Sequence, residues 1–206
     1  MLLIADAADR PFEVTALRSM FEARKRVFVD LLKWDVPVID DRYEVDQFDD
    51  EHAVYLIVCD DGGEHLGSAR LLPTIRPHIL DALFPALCAG PAPRGPDIFE
   101  ITRFCLGRNQ GAAQRRLTRN RLVAGIVDYA LASGIVTYCG VGELGWLQQI
   151  LAFGWRCRPL GLPRDIDGRM LGALRIDIDA DTPGLLAANH IYAAQPIERL
   201  PLLEAA

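Results

Sequence analysis

The chain has 206 residues, 50% of them hydrophobic and 24% charged, with 22 Lys and Arg against 28 Asp and Glu for a net charge of −6. This suits one compact globular domain with its own core and argues against a disordered chain. No apolar run approaches the roughly 20 residues of a membrane span, and the negative balance disfavours non-specific binding to nucleic acid or insertion at anionic membranes. The opening MLLIADAADR lacks a basic start and carries Asp6 and Asp9, so no leader is expected and the expected location is the cytoplasm. Residues 1–5 predict a short strand. Leu17, Phe21, Phe28 and Leu32, with Val27 and Leu31 beside them, follow helical spacing across 14–33, as one helix or two. The acidic stretch 35–51 reads as a long ordered loop, and its Tyr43 and Phe48 favour a functional one.

AVYLIVC at 53–59 predicts a buried strand, Asp60-Asp61-Gly62-Gly63 a hairpin turn, and 64–72 the returning strand. Prolines from Pro73 to Pro96 punctuate an irregular segment through 97. There follow a strand at 98–106, a helix at 118–132 ending at Gly134, a strand at 135–141, a helix at 143–153 and a late strand at 173–179. An Ala- and Leu-rich short helix is expected after Pro183. The order predicts an α/β fold over 1–206: a single domain with a mixed, twisted sheet flanked by helices. Cys59, Cys88, Cys105, Cys139 and Cys157 are widely spaced and odd in number, and the histidines form no ligand-spaced pair. Neither a disulfide framework nor a metal is expected.

The informative feature is charge where a core should be. Alternation along 98–106 puts Glu100, Thr102 and Phe104 on one face and Ile101, Arg103 and Cys105 on the other. Arg70 sits between Ala69 and Leu71 in a predicted strand, Arg24 lies in the first helical region, and Asp46 and Asp49 can face inward from one turn of the acidic loop. Interior charges must be paired or they cost several kcal/mol. The residues alone leave open whether this network only stabilises the fold or also carries chemistry.

Arg24-x3-Phe28-x5-Trp34, then Glu44-Val45-Asp46-Gln47-Phe48-Asp49, then Ala69-Arg70-Leu71-Leu72-Pro73, then Glu100-Ile101-Thr102-Arg103-Phe104 resemble the pattern of the LuxI-type autoinducer synthases, the acyl-homoserine-lactone synthases. Arg24, Phe28, Trp34, Asp46, Asp49, Arg70, Glu100 and Arg103 match that family in type and order. The resemblance is strong over 20–106 and continues weakly to about 160, through Gly154-Trp155 and Leu160-Gly161. Thr102 stands where the family often has serine, keeping the hydroxyl. Gly140, Gly142 and Glu143 stand where more hydroxyl residues would be expected.

The resemblance implies a GNAT-like acyltransferase architecture and a two-step reaction. The amine of S-adenosylmethionine attacks an acyl thioester, and the methionine carboxylate then displaces 5′-methylthioadenosine to close a lactone, a quorum-sensing signal. Glu100, Arg103, Asp46 and Arg70 would form the catalytic group, Glu100 being the base the protonated amine requires. Arg24, Phe28, Trp34, Asp46, Asp49 and Arg103 would bind S-adenosylmethionine, which is a substrate and not a cofactor. Thr102, Phe104, Val141, Trp146, Leu147 and Leu151 would line the acyl pocket. The acyl donor would be acyl carrier protein or coenzyme A, docked by Arg115, Arg116 and Arg119, with Arg156 and Arg158 as an alternative. Residues up to about 106 would then serve S-adenosylmethionine and residues 107–206 the acyl chain and its carrier.

Two further patterns compete. Gly140-Val-Gly-Glu-Leu-Gly145, with Asp165 further on, imitates a dinucleotide fingerprint, but it comes late, Asp165 falls in a Pro/Gly loop, and the glycines are expected to make a tight turn. Arg108 to Gly111, ahead of a helix, resembles the phosphate-binding loop of GNAT acetyltransferases. The rival functions are accordingly an N-acetyltransferase using acetyl-coenzyme A and a non-catalytic carrier-binding module.

Overall fold

The computed structural model describes residues 1–6 and 14–200; Asp9 and the end of the Ala- and Leu-rich tail lie outside the described residues. In chain order the elements are β1 (Leu2–Asp6), α1 (Thr15–Arg24), a π-helical stretch (Lys25–Leu31), β2 (Val38–Ile39), β3 (Tyr43–Glu44), β4 (Val54–Cys59) and β5 (His65–Pro73). Next come α2 (Ile79–Ala82), a 3₁₀ turn (Pro85–Leu87), β6 (Ile98–Leu106), α3 (Ala112–Ser133), β7 (Thr137–Glu143) and α4 (Leu144–Leu151). The chain finishes with β8 (Arg156–Pro159), β9 (Arg164–Ile166), β10 (Arg169–Asp177), α5 (Thr182–Ala188) and β11 (Glu198–Arg199). The fold is α/β with a mixed sheet, as expected. Among the described residues, two compact units alternate along the chain: the first takes 1–6, 14–70, 103–125 and 194–200, the second 71–102 and 126–193.

In the first unit the strand order is β11-β1-β4-β5-β6. β1 is antiparallel to β4, from Leu2 opposite Val58 to Asp6 opposite Val54, and parallel to β11. All six residues of β4 are buried, which is why its sequence is a continuous apolar run rather than an alternation. At the turn, Gly63 takes φ +82 and donates to Asp60 O, as the Asp-Gly pattern predicts. α1 buries Leu17, Met20, Phe21 and the whole of Arg24. The helix then widens into the π-helical stretch, where the Leu32 N–H bonds Val27 O at 2.9 Å and Lys25 meets Asp30 at 3.1 Å. This widening was not legible in the periodicity, and it is a feature that often marks functional sites.

The predicted loop 35–51 contains a small hairpin. β2 pairs β3 antiparallel, with Ile39 opposite Tyr43. Asp40 and Asp41 take φ values of 54 and 53, and the Arg42 N–H bonds Ile39 O at 3.0 Å. Two successive left-handed residues make a turn of the kind that twists with its strands, and Asp tolerates that region better than most residues.

In the second unit the order is β6-β7-β10-β8, with β9 on β10. β6 and β7 are parallel, joined in sequence through α3 as a parallel pair requires. Their pairing runs from Ile98 opposite Thr137 to Glu100 opposite Cys139. Leu80, Leu87, Cys139 and Ala173 form a buried cluster, with Phe84, Val141 and Leu160 packed against it. The short strands β8, β9 and β11 are additions to the expected set.

Two expectations are corrected here. Gly140 and Gly142 make no tight turn; both lie inside β7, where Gly142 pairs Gly172 of β10. A Cβ added at Gly140 would lie 3.0 Å from Ile101 O, and one at Gly172 would lie 2.8 Å from Leu147 Cδ1. These glycines exist for close approach, not for a turn. Asp165 lies in β9 rather than a loop, and its Oδ1 accepts the Gly168 N–H at 2.9 Å across the β9–β10 turn.

Candidate active site

Five of the predicted charged residues converge in the first unit, together with Glu44. Arg24 Nε lies 2.5 Å from Glu44 Oε2, and its two terminal nitrogens grip Asp49 at 2.7 and 2.8 Å. Arg70 grips Asp46 at 2.6 and 3.0 Å and reaches Asp49 Oδ1 at 2.8 Å. Arg103 Nη2 meets Glu44 Oε1 at 2.9 Å and Asp46 Oδ2 at 2.6 Å. The contacts close a ring of alternating sign: Arg24, Glu44, Arg103, Asp46, Arg70, Asp49 and back to Arg24. Three positive and three negative charges cancel, which is how so many ions can be buried together.

Backbone and hydroxyl donors complete the ring. Asp49 Oδ2 accepts the Asp46 N–H at 2.8 Å, and Asp46 Oδ1 accepts the Phe48 N–H at 2.8 Å. The Tyr55 hydroxyl donates to Asp49 Oδ1 at 2.8 Å. Burial by itself would raise the Asp49 pKa, but Arg24 and Arg70 outweigh it and hold the carboxyl well below the usual range. Burial likewise opposes the charge on Arg24, and Asp49 and Glu44 overcome it, so that its proton is held more tightly than usual. Burial, reinforced by Asp49, pushes the Tyr55 phenol upward and keeps it a donor.

Arg103 is the most exposed of the ring's three arginines. Its side chain is 8% exposed, against 1% for Arg24 and 0% for Arg70. Phe28 and Trp34 stack with centroids 4.7 Å apart, and the Arg103 guanidinium lies 5.5 Å from the one ring and 5.7 Å from the other. Arg103 takes φ +49 in the middle of β6. For a non-glycine residue in a strand this is strained backbone of the kind that gathers at functional sites. It also breaks the expected alternation: the buried residues are Glu100, Thr102 and Cys105, not members of one face. Glu44, unassigned from sequence, is wholly buried and bridges two arginines. Its position two residues before Asp46 was the only signal.

Glu100 lies in the second unit and is also wholly buried. Both of its carboxylate oxygens face the Leu80 N–H, at 3.1 and 3.2 Å. Of the predicted acyl-pocket residues, Thr102 and Leu147 are buried at 7% and 6%. Val141, Trp146 and Phe104 are half-buried, Trp146 meets Phe153 edge to face, and Leu151 is 37% exposed. Leu147 and Trp146 lie against the backbone of Gly142.

Arg115 and Arg116 are exposed on the first turn of α3, and Arg119 is half-buried. The 107–110 loop ahead of them borders a cleft of about 420 Å³ lined by Arg26, Asp30, His65, Arg108, Asn109 and Gln110. Gln110 braces the loop on Leu66 O at 2.6 Å and accepts the Thr118 hydroxyl at 2.6 Å. Burial, reinforced by Arg26, holds the His65 imidazole at about 3, so the cleft gains its positive charge from arginine alone. Among the described residues no His, Cys, Asp or Glu group suited to a metal occurs, and no helix is long and apolar enough to cross a membrane.

An acyl-CoA N-acyltransferase from Pseudomonas aeruginosa shares the fold at a TM-score of 0.57 and 16% identity, over 85% of this chain and 97% of its own. The fold is thus of GNAT-like architecture. Residues 11–184 match the autoinducer synthase family. The acyl-homoserine-lactone synthase of Ralstonia nicotianae is 37% identical over 166 residues, 77% of this chain and 80% of that protein. A CoA-dependent acyl-homoserine lactone synthase, BjaI, solved with SAM and isopentyl-CoA, aligns at a TM-score of 0.83 and 29% identity, over 99% of this chain and 95% of its own. The chain belongs to the autoinducer synthase family, the acyl-homoserine-lactone synthases, and is an acyltransferase.

Proposed function

We propose that this enzyme transfers an acyl group from an acyl thioester to the amine of S-adenosylmethionine and then closes the lactone, making a quorum-sensing signal. The amine nitrogen forms a bond to the thioester carbonyl carbon, and the thiol leaves with a proton. The methionine carboxylate oxygen then bonds to Cγ as the Cγ–S bond breaks, releasing 5′-methylthioadenosine as a neutral thioether. The relatives support this reading, as does BjaI with its bound SAM and isopentyl-CoA. The observation that carries it is the buried ring that turns Arg103, the most exposed of its arginines, toward the Phe28–Trp34 stack.

In this scheme Arg103 pairs with the methionine carboxylate, and Phe28 and Trp34 offer flat faces to the adenine or the sulfonium. Asp46 and Asp49 spend their oxygens on arginines and backbone N–H groups. They and Arg24 and Arg70 therefore hold Arg103 in place. Glu100 accepts the amine proton, directly or through a water. Val141, Trp146 and Leu147, with Thr102, Phe104 and Leu151, form the apolar slot. S-adenosylmethionine is handled mainly by residues up to about 106, the acyl chain and its carrier mainly by 107–206. The donor, acyl carrier protein or coenzyme A, brings a phosphate to Arg108, the exposed Arg115 and Arg116, and the half-buried Arg119. S-adenosylmethionine is consumed as a substrate, the scheme has no metal, and the reaction runs in the cytoplasm.

The test is 5′-methylthioadenosine release by purified protein given S-adenosylmethionine and a panel of acyl thioesters, with Glu100→Gln alongside. Release with lactone formation, reduced about 10²-fold or more in Glu100→Gln, is expected. Acetyl transfer that needs no S-adenosylmethionine, or full activity of Glu100→Gln, would overturn the reaction or the base respectively.

A further inference from the structure

α2 is a single turn, far shorter than a helix that persists by itself, yet it supplies the N–H that both oxygens of Glu100 face. Leu80 is its second residue, so its N–H is one of those a helix start leaves without an internal partner. What keeps that N–H aimed is the cap before it. His78 is extended, with φ −138 and ψ 172, and its N–H donates to Asp81 Oδ1 at 2.7 Å. The His78 Nδ1 lies 3.2 Å from the same oxygen and 3.1 Å from Arg76 O. The His78 side chain in turn meets the Asp81 backbone N–H, so the cap is reciprocal.

His78 and Leu80 are wholly buried. The His78 Nε2 has no hydrogen-bond partner among the described residues. A residue there for packing alone would be apolar, since a buried nitrogen with its hydrogen bond unmet is destabilising. The imidazole is kept for its Nδ1, and so for the direction of this one turn.

We propose that Asp81, through its reciprocal cap with His78, is a positioning residue for Glu100: it fixes the turn whose Leu80 N–H orients the carboxylate. This rests on Glu100 being the base. Asp81 itself touches neither Glu100 nor the charged ring in the contacts described; its other neighbour is Arg94 at 3.8 Å.

The experiment is steady-state kinetics of the full chain, following 5′-methylthioadenosine release, for Asp81→Ala, Asp81→Asn, Arg94→Ala and Glu100→Gln. Asp81→Ala is expected to lower kcat about 10²-fold, the scale of a misplaced reacting group, with both KM values unchanged. Asp81→Asn, which keeps an acceptor oxygen, recovers most of that rate, and Arg94→Ala matches wild type. Wild-type kcat in Asp81→Ala, or a loss shared equally by kcat and both KM values, overturns the positioning role. Full activity of Glu100→Gln sinks the base instead, so the two readings fail separately. Should Asp81→Ala not fold, Asp81→Glu shifts the acceptor by one methylene at unchanged charge, and the same kcat-only loss is expected, with wild-type kcat again overturning the role.

Discussion

At the scale of single residues, the ring of six charges is stable only when closed. Each arginine has carboxylates on two sides, so removing any member leaves a neighbour buried with half its compensation. Asp49→Ala strips oxygens from both Arg24 and Arg70, and a loss of about 3–5 kcal/mol is expected by chemical denaturation. The pH dependence has a definite sign. The folded pKa of Asp49 is depressed, so its contribution is full above the unfolded value of about 3.9 and is lost as pH falls through the folded one. Asp49→Ala should therefore lose less stability than wild type on acidification below about pH 4; an unchanged acid limb would show that the ring does not stabilise Asp49 as described. Arg24, Arg70 and Arg103 were legible because charge among apolar neighbours is conspicuous, and Asp46 and Asp49 through their three-residue spacing and the family pattern. Glu44 and Tyr55 were not, because an acid in an acidic loop and an aromatic in a buried strand look ordinary until their partners are known.

At the scale of elements, the glycines of β7 and β10 set the space beneath α4. Gly142 and Gly172 are paired across the two strands, and both lie against Leu147. A methyl at Gly172 would meet Leu147 Cδ1 at 2.8 Å, closer than packed carbons come. Gly172→Ala is expected to cost about 1–3 kcal/mol of stability, and Leu147→Ala in the same background should recover part of it. No recovery would mean that the clash lies in the backbone instead. In sequence these glycines imitate a phosphate loop; what separates a strand glycine from a turn glycine is the side chain packed over it, which lies on another element. The same holds for β6, whose alternation reads cleanly until the left-handed Arg103 interrupts it.

At the scale of the whole chain, a net charge of −6 coexists with surface arginines gathered near one loop. An acidic or phosphate-bearing donor is drawn there by local, not total, charge. Salt from about 0.05 to 0.5 M should raise the KM for the acyl donor more than that for S-adenosylmethionine, because exposed charges are screened within about 10 Å. Arg108→Glu with Arg115→Glu should remove that difference; equal salt effects on both substrates in wild type would place donor docking elsewhere.

From sequence alone came the α/β class, the long strands and helices, the absence of a membrane-length apolar run and most members of the charged ring. These rest on local pattern: hydrophobic period, turn chemistry, and ions where a core should be. The tertiary structure alone decided which acid meets which arginine, that Arg103 takes a strained backbone, that Leu80 faces Glu100, and that the glycines of β7 admit a side chain. Each of those depends on groups distant in sequence, and ion pairing and close packing are satisfied in space, where sequence spacing has no say.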